Sequence, residues 1–226
     1  MPVSEMEPLI LPGVEAHHEA QTNLRLIRDL MERSTKYSTF SGLSGVLAGT
    51  FAILGCLAQW KFVGPLGLTE QKRVFLIIWA IVIVLAIGTD FLLTKRRAPL
   101  VGKTILSRLG KQMVLASLPG LGFGALLTLT LLQHGLLDLI YPFWMLAYGS
   151  AVCAVGLFSQ REVSRLGWAF VISGFAAFLF DFLVTDTQTR LTAGLVMTAI
   201  TFGGFHIAYG LVMASRLGWN GERNGN

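Results

Sequence analysis

The stretch Val74–Thr94 reads VFLIIWAIVIVLAIGTDFLLT and carries no charge for 16 residues, from Val74 to Thr89, before Asp90 interrupts it. A hydrocarbon layer about 30 Å thick is crossed by roughly 20 apolar residues of helix. The chain holds further runs of this kind at Phe40–Trp60, Met113–Gln133, Ile140–Phe158, Leu166–Val184 and Leu191–Ala214. Together they predict an all-α membrane protein with six transmembrane helices (residues 40–214) and an amphipathic interfacial helix ahead of them.

Composition points the same way. Charged residues make up 14% of the chain and hydrophobic ones 53%, where a soluble domain carries about 25% charged residues. The net charge of +5 is not a nucleic-acid signature, because the basic residues lie along the flanks of the apolar runs. Residues 1–19 are acidic, contain Pro2, Pro8 and Pro12, and lack a basic leader region. They are expected to be a disordered tail, with the first span a retained anchor. Residues 215–226 are expected to be a second disordered tail.

Charge also predicts orientation. Fourteen of the 18 basic residues fall on one side of a six-span plan and four on the other. Lys95, Arg96, Arg97, Lys103, Arg108 and Lys111 form the densest group. The positive-inside rule places that group, and with it both termini, in the cytoplasm of a multi-pass inner-membrane protein. Lys61, Lys72 and Arg73 dissent and are expected to snorkel to the outer interface.

In residues 20–39, Leu24, Ile27, Leu30 and Met31 recur at helical spacing among Arg25, Arg28, Asp29, Glu32 and Arg33. This is the pattern of a helix lying in the headgroup layer or docked on a partner. It runs directly into a first span striped with small residues, Gly42, Gly45, Gly49 and Ala52. Such a stripe admits close helix packing, so it is expected to face another helix of the same chain. Pro119, Gly120, Gly122 and Gly124 in the third run are expected to kink or unwind it.

Leu24–Gly55 also carries a resemblance. The segments Ile27–Ser34 and Ser41–Gly45, with Gly49 and Ala52, resemble the start of a group of uncharacterised bacterial six-span integral membrane proteins. In these an amphipathic N-terminal helix leads into a Ser/Gly-rich first span. The resemblance implies a bacterial inner membrane and the six-span plan, and brings no activity, ligand or catalytic residue with it.

The candidate chemistry is sparse. Asp90, Asp181 and His206 are ionisable residues inside the runs, and charge at such depth defaults to a functional hypothesis. His206 lies deepest in its run and is expected to point inward, with a partner on the second span or in Tyr209. Asp90-Phe91-Leu92-Leu93-Thr94 and Asp181-Phe182-Leu183-Val184-Thr185 end the second and fifth runs alike, as inverted repeats would. No zinc-protease, nucleophile-elbow or phosphate-loop motif is present, so no enzyme activity, cofactor or metal is expected. Cys56 and Cys153 read as small core residues.

Two functions follow. One is a non-enzymatic regulatory or scaffold module that docks a cytoplasmic protein on its basic face. The other is a small transporter or channel-like protein with a polar site around His206. The oligomeric state stays open.

Overall fold

The computed structural model describes residues 21–24, 27, 42–63, 66–97 and 108–217. The chain divides into two units, Met1–Lys36 and Tyr37–Asn226. In the first, the described residues are helical, with Leu24 and Ile27 exposed. The rest of the expected amphipathic helix lies outside the described residues, as do both expected tails, residues 1–19 entirely and 215–226 from 218 onward.

The second unit is helical throughout its main elements. These are α1 (Gly42–Phe62), α2 (Leu68–Arg97), α3 (Arg108–His134), α4 (Ile140–Gly156), α5 (Arg161–Leu183), α6 (Thr187–Thr198), a π-helical segment (Ala199–Phe205) and α7 (His206–Leu217). The last three run on as one rod. Among the described residues, four helices and this rod, five segments in all, are long and apolar enough to cross a membrane. The exception is α4, which has 17 residues and spans about 26 Å at 1.5 Å per residue. Its run was expected to extend to Phe158, but Leu157 and Phe158 turn out of the helix.

The pairings repeat between halves. α1 packs on α2 and on the rod, while α4 packs on α5 and on α3. Small residues set the closest contacts. A Cβ on Gly49 would lie 2.5 Å from the Gly203 carbonyl oxygen, and one on Gly42 would lie 2.6 Å from that of Gly210. On the other hub, a Cβ on Gly167 would lie 2.6 Å from the Cys153 nitrogen. Backbones approach this closely only where no side chain intervenes.

α3 ends on a glycine cap. Gly135 takes φ 75°; its N–H bonds the Leu132 carbonyl at 3.2 Å, and that of Leu136 bonds Leu131 at 2.9 Å. This pair closes the last turn, and glycine adopts the left-handed conformation without Cβ strain. The expected unwinding at Pro119 does not occur, for α3 is one continuous α-helix through it. Gly120 and Gly124 instead seat α3 on Ala147 and Ala151 of α4. The break in helical geometry lies in the sixth run, at Ala199–Phe205.

Candidate functional site

The π-helical segment ends at His206, and the ring of His206 lies inside the bundle. Its Nδ1 is 2.9 Å from the Phe202 carbonyl oxygen, and its Nε2 is 2.7 Å from the Tyr148 hydroxyl of α4. A carbonyl only accepts, so Nδ1 carries a proton. In the neutral ring Nε2 then accepts the Tyr148 proton. The Phe202 carbonyl is the acceptor an α-helix would give to the His206 N–H. Here that N–H reaches Gly203 instead, and the imidazole takes Phe202. At the end of the π-helical segment the backbone thus closes with a tighter i→i−3 bond, and the side-chain bond uses the carbonyl that the His206 N–H does not take.

Aromatic rings enclose the pair. Phe170 is fully buried, with its centroid 4.9 Å from Tyr148, 4.8 Å from Phe202 and 5.4 Å from His206. Phe202 stacks on His206 at 16°. These contacts hold both polar groups in one rotamer.

Polarity continues toward α1 and α2. Ser44 is buried and hydrogen-bonded to Asp90, and the Asp90 carboxylate lies within electrostatic range of Tyr148. Ser44, Asp90, Tyr148 and His206 thus bring four elements to one polar region. The partner of His206 is Tyr148 on α4, where the second span or Tyr209 was expected. Tyr209 is half-buried on α7. Asp90 joins the region through Ser44 and Tyr148, as α2 packs chiefly on α1.

Asp181 belongs elsewhere. It is buried near the end of α5, within electrostatic range of Asp138 and Arg190. Asp138 and Arg190 form an ion pair at 3.0 Å. At the same end of the bundle, Trp79 Nε1 donates to Gln59 Oε1 at 2.7 Å, and Gln59 Nε2 donates to the Tyr141 hydroxyl. Sequence reading singled out none of Gln59, Asp138, Tyr141 and Arg190 for chemistry. A lone glutamine near the end of the first apolar run was the available signal.

Asp186 caps α6 outside the spans. Its Oδ2 accepts from the Thr189 N–H at 2.7 Å and from the Thr189 hydroxyl at 2.5 Å. These bonds hold its carboxyl below the ordinary carboxylate range.

The stripe Gly42, Gly45, Gly49 and Ala52 is buried, and its three glycines lie against the rod. Of the basic group, Lys95 and Arg96 are exposed at the end of α2, and Lys111 is exposed on the first turn of α3. Arg97 closes α2 and Arg108 opens α3, while Lys103 lies outside the described residues. Comparison with protein-family models, curated proteins and solved structures found no match for this chain.

Proposed function

We propose that this chain is a small ion-linked transporter of a bacterial inner membrane, with six spans, cytoplasmic termini and a transport site at Ser44, Asp90, Tyr148 and His206. The observation that carries the reading is the His206–Tyr148 pair at the end of a π-helical segment. π-Helical turns are rare and frequently occur at functional sites. An imidazole whose two nitrogens face a carbonyl and a hydroxyl can pass a proton by changing tautomer. Asp90 supplies a second proton acceptor in the same region. The repeated pairings of α1 and α4 support the reading, because transporters built from inverted repeats hold their sites where the halves meet. At 17 residues α4 sits at the short limit of about 17–25 for a span. The excess of basic residues on one side supports cytoplasmic termini, and the Leu24–Gly55 resemblance supports the bacterial membrane.

A transport site must open to water on at least one side. In a chain whose Cys56 and Cys153 are replaced by alanine, Ser44→Cys is expected to react with a membrane-impermeant thiol reagent from one face of the membrane. Protection from both faces would remove the transport reading. Reporter fusions after Asn226 and within 134–138 are expected to report opposite sides, and the same side for both would overturn the topology.

The docking reading keeps its own support. Lys95, Arg96 and Lys111 are exposed, and Leu24 and Ile27 present apolar side chains to solvent. Under that reading His206→Leu changes stability alone, and a cytoplasmic protein is retained on the basic face in mild detergent.

A further inference from the structure

Charge does not balance at the Asp138 end of the bundle. Asp138 precedes α4, Asp181 lies in the last turn of α5, and Arg190 lies in the first turns of α6. Asp138 and Asp181 are 3% and 6% exposed. Arg190 pairs with Asp138 at 3.0 Å, and its Nη2 also lies 3.3 Å from the Thr187 hydroxyl. The pair is off-axis, since Asp138 Oδ2 and Arg190 Nε complete no hydrogen bond. Asp181 Oδ2 is sealed from solvent and has no hydrogen-bond partner. Asp186, on the exposed side, also draws on the field of Arg190. One guanidinium thus faces three carboxylates, two of them buried.

A buried carboxylate without a hydrogen-bond partner is costly, and the cost is met either by taking up a proton or by a cation beside it. The geometry points to a binding site for one monovalent cation of the sodium class, held by Asp181 Oδ2 beside the Asp138–Arg190 pair. Three observations select that class. The donor atoms are hard oxygens, which suit alkali and alkaline-earth ions over transition metals. Among the described residues no three His, Cys, Asp or Glu are placed to share one metal ion, which disfavours a divalent ion. Arg190 already supplies one positive charge, which a second charge of +2 would meet at higher cost. The backbone leaves helical geometry at 136–139 and at 184–186, and non-helical backbone of this kind is a common source of carbonyl ligands for sodium. Lys61, Lys72 and Arg73 also lie toward this end, and of these Lys72 reaches the Gln133 carbonyl at 3.4 Å. This site is separate from the His206 region and does not depend on transport.

The test is thermal unfolding of the detergent-solubilised full chain, followed by tryptophan fluorescence, in NaCl or N-methyl-D-glucamine chloride at equal ionic strength. Sodium is expected to raise Tm saturably, by about 3–6 °C once it exceeds Kd about tenfold. Asp181→Asn is expected to abolish that rise while remaining at least as stable as the wild type in N-methyl-D-glucamine. Equal Tm in both salts for the wild type would overturn the proposal. So would a sodium-dependent rise that survives Asp181→Asn, or a wild-type Tm that responds to pH and ignores sodium. Should Asp181→Asn not fold, equilibrium binding of radioactive sodium to the wild type decides. One ion per chain supports the site, and none contradicts it.

Discussion

His206 owes its place to two bonds that constrain each other. The Phe202 carbonyl fixes the proton on Nδ1, and Tyr148 then meets Nε2. Nitrogen NMR of labelled protein is expected to show the Nδ1–H tautomer in the neutral ring. Tyr148→Phe removes the hydroxyl and leaves Nε2 facing aromatic rings. Side-chain bonds between membrane helices average about 0.6 kcal/mol and reach about 1.7, so a loss of ~1 kcal/mol is expected in reversible unfolding. No loss would mean that the bond is not formed. Asp186 provides a pH-dependent counterpart outside the spans. Its carboxyl is held down by Thr189, so its contribution to the start of α6 is present above the unfolded carboxylate value of about 3.9. It is lost as pH falls through the lower folded value. The carboxyl carbon of Asp186 is expected to titrate below the ordinary range, and Thr189→Val to move that midpoint upward. An unchanged midpoint in Thr189→Val would show that the Thr189 hydroxyl does not bond Asp186, since Val keeps the backbone N–H of the cap.

At the scale of elements, apolar length and small-residue spacing were legible in the chain and partner choice was not. The stripe Gly42, Gly45 and Gly49 could be read because its spacing places three residues on one helical face whatever that face meets. Its target on the rod depends on tertiary pairing. The π-helical segment had no local signal: Ala199–Phe205 is AITFGGF, ordinary for a membrane helix. Pro119 had a strong local signal and does not unwind α3, because the helix settles on α4 through Gly120 and Gly124. The glycines supply the test. Gly49→Leu is expected to cost on the order of 1–3 kcal/mol by overpacking, since even a Cβ there would meet the Gly203 oxygen at 2.5 Å. Gly122 has nothing within 4 Å of its Cβ position, so Gly122→Ala is expected to be neutral or to stabilise by about 0.4–1 kcal/mol. Equal effects at both sites in unfolding assays would show that the α1–rod contact is wrong.

For the whole molecule, the same limits govern the site. Asp90, Asp181 and His206 stood out because charge in an apolar run is conspicuous. Their grouping could not be read, because depth along a helix does not say which neighbour lies opposite. The structure sends Asp90 toward Ser44 and Tyr148, and Asp181 toward Asp138 and Arg190. Asp138 and Arg190 were inconspicuous as loop residues, where charge is ordinary. The two polar regions are separate, and the transport reading rests on the His206 region alone. Purified protein in liposomes containing a pH-sensitive dye, driven by a potassium diffusion potential, measures proton entry directly. Acidification is expected to be faster than in protein-free vesicles, to be abolished by His206→Leu and to be retained by Gly122→Ala. Wild-type vesicles no faster than empty ones, or His206→Leu matching the wild type, would contradict the transport reading.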